Sequence, residues 1–259
     1  MPRTPRAVMQ TLVAVMLLAG FALLQSQFAG PATPRSDQAE GGAAVSPLRA
    51  DVPAKPPGVA PDAFDFYVLA LSWSPTHCAS AKGRGRDDDM QCRSGRPYGF
   101  VLHGLWPQHE RGWPEFCPID GPRSVRGPAL DAALALTPSV RLVQHQWKKH
   151  GTCSGLTPEG YFSAAARAIA GLTVPVALKS PERPLTKTAD EVRAAFLDAN
   201  PGLERASLVV TCRRNVLGEV RVCLDKRLRP RRCSAEVTAD HCGGRQLRLL
   251  NVRGYWPRD

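Results

Sequence analysis

Residues 98–107 read "YGFVLHGLWP", a short apolar and aromatic run that carries one histidine, His103, and ends at a proline. Aromatic and β-branched residues suit a pleated, half-buried surface, so the run reads as a buried strand. Val101 and His103 are two apart and share one of its faces. Residues 64–75, "FDFYVLALSWSP", have the same character and read as a second buried strand. An imidazole set into a strand of this kind needs either a backbone partner or a chemical task.

Residues 144–153, "QHQWKKHGTC", supply a candidate for the task. Thr137-Pro138 predicts a helix start, a capping hydroxyl followed by proline at the first position, with the helix running on to stop at Gly151. On that helix Gln146, Lys149 and His150 are related by i, i+3 and i+4 and share a face. His145 lies one position round, beside Lys149, while Val143 and Trp147 point to the core. A second start at Thr157-Pro158 leads into "EGYFSAAARAIAGL", and a third helix fits "TADEVRAAFLDANPG", ended by Pro201 and Gly202. "ASLVVTC" and "VLGEVRVCLD" alternate like antiparallel strands. Helices and strands do not alternate regularly. The expected fold is α+β, a single domain with a central antiparallel β-sheet flanked by helices and cross-linked by disulfides.

The chain has 259 residues. Arg3 and Arg6 precede the apolar run "TLVAVMLLAGFALL" and small residues follow at Ala29 and Gly30, the layout of a secretory signal over 1–30. The run is short for a membrane span, although an uncleaved anchor is the competing reading. Residues 31–61 are rich in Pro, Ala and Gly and read as a disordered linker. The globular part is then 62–259, and all eight cysteines fall within it. An even count behind an export signal implies four disulfides in an oxidising compartment, with about 105 connectivities open. No CxxC or paired Cys/His spacing supports a zinc site. The formal net charge is +11, and residues 212–259 hold twelve Arg or Lys against five Asp or Glu. Such a field draws polyanions, nucleic acid first, or simply solubilises the surface.

Two histidines with a nearby lysine are what metal-free cleavage of RNA requires. One imidazole takes the proton of the 2′-OH, the other protonates the departing 5′-oxygen, and the lysine offsets charge on the phosphoryl oxygens. Imidazole suits both tasks because its ordinary pKa is about 6.5. His77, His109 and His241 lack such surroundings and read as structural.

Here a resemblance becomes specific. "HGLWPQ", followed later by "HQWKKHGTC", resembles the two active-site segments of the ribonuclease T2 family. "SWSPTHC" and "GWPEFC" resemble its first strand and the segment after the first motif. The resemblance implies that His103 and His150 are the acid–base pair, His150 the base and His103 the acid. It also implies that Lys149 stabilises the transition state and that His145 binds phosphate. Trp106 and Trp113 match positions that hold a base by stacking, with core packing as the alternative. It further implies disulfides Cys78–Cys92, Cys117–Cys153, Cys212–Cys242 and Cys223–Cys233.

Two positions depart from the family pattern. Gln146 stands where the family usually has Glu, and Gln108 where some relatives carry an acidic residue that helps choose the base. The neutral amide can still donate a hydrogen bond to a phosphoryl oxygen, so an active enzyme of reduced rate or shifted pH optimum is expected. The expectation is a monomeric, secreted or periplasmic endoribonuclease of low base specificity. It acts on single-stranded RNA, not DNA, with no cofactor, no metal and no stable membrane association after signal cleavage. The rivals are a decayed relative that only binds RNA or another polyanion, and an exported binding module unrelated to nucleic acid.

Overall fold

The computed structural model describes residues 63–80, 89–239 and 242–252. The expected signal (1–30), linker (31–61) and His241 lie outside them. In chain order the elements are β1 (Phe66–Trp73), α1 (Ser74–Ala79), α2 (Asp89–Cys92), β2 (Phe100–Gln108), α3 (Gly127–Leu136), α4 (Val140–Lys149), α5 (Pro158–Ala170) and α6 (Val176–Lys179). There follow β3 (Leu185–Thr188), α7 (Ala189–Ala199), β4 (Leu208–Arg213), β5 (Val216–Leu224), α8 (Ala235–Ala239) and β6 (Gln246–Leu249). The described residues form the expected α+β domain. β2, β1, β5 and β4 pair antiparallel in that order; β6 joins β5 by one parallel bridge, Val216 to Arg248, and pairs antiparallel with β3.

β1 is covered on both faces, which explains its nearly unbroken apolar run. Tyr67, Leu69, Leu71 and Trp73 enter the main core with Trp147, Tyr161, Phe162 and Phe196. Phe66 and Val68 turn the other way, into a smaller cluster with Val209, Cys223, Cys233, Val237 and the partly buried Trp106. That second face carries the site.

The decisive irregularity lies in β2. Ala70 pairs with Gly104 and Leu71 with Leu102, so His103 is an extra residue, a β-bulge. Leu102 and Leu105, three apart, therefore both reach the main core. A regular strand would send them to opposite faces. By the same shift His103 and Trp106 emerge together on the second face, ring centroids 5.1 Å apart.

Several sequence expectations need correction. The helix bearing "QHQWKKHG" is capped by Ser139, whose hydroxyl accepts from the Leu142 N–H. Thr137 instead closes α3, a helix not anticipated, with its N–H on the Ala133 carbonyl. The stop ahead of Gly151 is as expected: α4 ends with His150 as its C-cap, and a tight 3-10 turn over Gly151–Cys153 follows. A side chain at Gly151 would strike the Trp147 ring at 2.3 Å, so its glycine is there for packing. α7 follows its predicted limits, with a Thr188–Glu191 capping box.

Disulfides join Cys78–Cys92, Cys117–Cys153 and Cys223–Cys233. The fourth expected bridge, Cys212–Cys242, is not formed. The pairing of β4 with β5 slips between Thr211 and Cys212, leaving Cys212 half-buried, while the Cys242 thiol turns to the Val210 carbonyl at 3.3 Å. Among the described residues no helix is long and apolar enough to cross a membrane.

Candidate active site

A cleft of about 310 Å³ opens between α4 and the second face of the sheet. Every residue singled out from the sequence for catalysis or substrate binding borders it: His103, Trp106 and Gln108 from β2, Trp113 from the loop that follows, and His145, Gln146, Lys149 and His150 from α4 and its cap. His109, by contrast, faces Asp65 at 3.9 Å.

Four connections tie α5 to β2, and α4 and its following turn to the segment after β2. The Tyr161 hydroxyl donates to the Leu105 carbonyl at 2.9 Å. The Trp147 indole N–H donates to the Pro122 carbonyl at 2.8 Å. Cys117–Cys153 ties the turn after α4 to the segment following β2, and the Phe116 N–H bonds the Lys149 carbonyl at 2.9 Å.

Across the floor of the cleft the Trp106 indole N–H donates to Gln146 Oε1 at 2.7 Å. That bond passes over Gly104, where a Cβ would lie 2.1 Å from both atoms. Gln146 is 3% exposed. Its oxygen is thus committed to holding Trp106, a role its sequence did not suggest. Trp106 stands between the histidines, edge-on to His103 and tilted against His150 at 5.4 Å. Trp113 is no core residue: it is 54% exposed at the rim. Its N–H approaches Glu115 Oε2 at 3.4 Å, and the same carboxylate oxygen lies 3.3 Å from the Lys149 ammonium. Gln108 is buried, with its amide donating to the Pro107 carbonyl.

The two imidazoles sit in opposite surroundings. His150 is 7% exposed, and its Nδ1 is buried with no hydrogen-bond partner among the described residues. Burial, followed by Lys149, His103 and His145, pushes its pKa down to about 3, so the ring is neutral at ordinary pH. His145 is shifted down as well, by burial first and then by Lys149, His103 and Arg141.

His103 instead meets a carboxylate. Its Nδ1 hydrogen-bonds Glu219 Oε1. Glu219 Oε2 accepts from Arg221 Nε and Nη2, both at 2.8 Å. Burial alone would raise the Glu219 pKa, but the bond to His103 and the Arg221 charge outweigh it and hold the carboxyl at about 2. Sequence reading missed Glu219, Arg221 and Glu115. Within "VLGEVRVCLD", Glu219 and Arg221 look like the solvated face of an amphipathic strand, and nothing local marks His103 as their neighbour.

Fold and cleft define a class: an α+β domain with paired imidazoles, a lysine and indoles about one cleft. The chain belongs to the Ribonuclease T2 family, whose model matches residues 64–233. A ribonuclease of Aeromonas hydrophila is 40% identical over 169 residues, covering 63% of this chain and 73% of that protein. A probable ribonuclease of Haemophilus influenzae is 32% identical over 182 residues, covering 66% of this chain and 62% of that protein. Among solved structures, RNase NT in complex with 5′-AMP aligns with a TM-score of 0.54 at 23% identity, covering 73% of this chain and 98% of that one.

His150 and Glu219 respond to acid with the same sign. The unfolded chain takes up the His150 proton near 6.5 and the folded chain near 3, so its contribution to stability is complete above pH 6.5 and is lost as pH falls toward 3. The Glu219 contribution is complete above 4.5 and is lost as pH falls through about 2. Thermal melts should therefore show Tm falling from pH 7 to pH 3, and His150→Gln should flatten the part of the fall between 6.5 and 3.

Proposed function

We propose that this protein is an exported, metal-independent endoribonuclease that cleaves single-stranded RNA through 2′,3′-cyclic phosphate ends with low base specificity. Residues 62–259 are the catalytic domain, residues 1–30 direct export to the periplasm or medium, and 31–61 are a linker. The observation that carries the reading is the asymmetry of the two imidazoles bordering one cleft, His150 neutral and His103 backed by a carboxylate.

In the reaction His150 removes the 2′-OH proton while the 2′-oxygen forms its bond to phosphorus. The bond from phosphorus to the 5′-oxygen breaks, and His103 supplies the proton that the leaving alkoxide needs. Lys149 turns from Glu115 to the phosphoryl oxygens, where charge develops. His145, exposed on α4 and bordering the cleft, donates to the same phosphate. The phosphodiester's own charge counters Lys149, His103 and His145, which returns the part of His150's base strength that those charges remove, though not the part lost to burial. Trp113 offers an open face for stacking a base without reading its sequence. Trp106 is a wall that sets the spacing of the histidines. RNase NT is described with bound 5′-AMP, which supports a nucleotide in this cleft. DNA lacks the 2′-OH and is an inhibitor at most, and the working unit is a monomer.

The mature protein, incubated with single-stranded RNA in EDTA, should release cyclic-phosphate ends, and His103→Ala and His150→Ala should each lose about 100-fold or more. RNA retained without cleavage would support the polyanion-binding reading instead. Gln146→Glu keeps the oxygen that holds Trp106 but adds a negative charge beside His150. It should raise kcat and move the acidic limb of kcat/KM to higher pH; an unchanged rate and profile would contradict this account of Gln146.

A further inference from the structure

We propose that Glu219 is a positioning residue for the cleavage step, holding the His103 ring by Nδ1 and balancing the charge it carries as proton donor. This rests on the assignment of His103 as the acid in the reaction above. Glu219 lies opposite Ser72 in the β1–β5 register, on the face into which the β2 bulge delivers His103. Each carboxylate oxygen is engaged. Oε1 takes His103 Nδ1 and, at 3.4 Å, the Ser72 hydroxyl; Oε2 takes both Arg221 donors.

This geometry has two consequences for His103. A ring tied at Nδ1 presents its Nε2–H to the leaving oxygen, so the partner sets the angle of the charged ring and the Nδ1–H tautomer that remains once the proton is given up. Edge-to-face packing against Trp106 restricts rotation about that bond. The charges facing His103 come from two elements. Arg221 and Glu219 stand on β5, and His145, Lys149 and His150 on α4 and its cap; among the described residues Glu219 is the carboxylate bonded to it. With Gln146 uncharged on the helix, the anionic partner of the histidine pair is supplied by the strand. The carboxyl is held low enough to stay ionised across the working range.

A Glu–Arg pair that merely stabilised β5 would leave the chemistry of the leaving group indifferent to it. Two substrates separate the cases. A dinucleotide expels a 5′-alkoxide, which needs a proton. A nucleoside 3′-(p-nitrophenyl phosphate) expels nitrophenolate, which does not. Glu219→Ala should lower kcat on the dinucleotide by about 100-fold, with KM changed by less than about 3-fold, and on the nitrophenyl ester by less than about 5-fold. Glu219→Gln keeps shape and an acceptor but not the charge, and should fall between wild type and Ala on the dinucleotide.

Equal losses of Glu219→Gln on both substrates would overturn the proposal, as would wild-type rates for both variants. If Glu219→Ala melts early and loses both substrates alike, Glu219→Gln at wild-type Tm decides the matter. A wild-type protein that cleaves neither substrate removes the nuclease reading and this proposal together. A wild type that cleaves RNA with no selective loss in the variants removes this proposal alone.

Discussion

The β-bulge at His103 is the constraint on which the site depends. One residue inserted between the Ala70–Gly104 and Leu71–Leu102 pairs allows the strand to meet two demands. Leu102 and Leu105 stay in the main core, and His103 and Trp106 stand side by side on the opposite face. Remove the extra residue and the alternation of side chains fails on one side or the other of it. Gly104, next to the bulge, must lack a side chain because the Trp106–Gln146 bond passes directly over it. Bulge and glycine together set where one imidazole sits relative to the helix that bears the other.

Electrostatics then separates two chemically identical side chains. His150 is buried among positive neighbours and stays neutral, while His103 is tied to Glu219, itself secured by Arg221 and Ser72. Burial among positive charges lowers the pKa of one ring, while a carboxylate at Nδ1 fixes the orientation of the other. The family resemblance carries the expectation of a carboxylate at position 146 on the helix. Here that position is an amide serving as an acceptor for Trp106, and the buried anion stands on β5. The proposed division of labour between the histidines rests on that placement.

Much of this was legible in the chain itself. Apolar runs marked β1 and β2, and i, i+3, i+4 spacing put Gln146, Lys149 and His150 on one face of a helix. What was hidden depends on contacts distant in sequence. The bulge is a register property of two strands, invisible in either alone. Glu219 lies 116 residues from His103, and its strand pattern is that of any solvated face. Thr137-Pro138 carries a start signal, yet Thr137 closes α3 and Ser139 caps α4, because α3 already extends to Leu136. The Cys212–Cys242 bridge, which the family resemblance implied, is not formed; the slip after Thr211 and the Cys242 thiol turned to Val210 are tertiary details that a shared motif does not encode.

The most direct test of the account is a crystal structure of the protein bound to a 2′-deoxy dinucleotide, which fills the cleft but cannot cyclise. The account predicts the phosphate between His103 and His150. The leaving 5′-oxygen should lie within about 3.2 Å of His103 Nε2, and the sugar C2′ should face His150. A phosphate seated away from both imidazoles, or a reversed strand with C2′ toward His103, would contradict it.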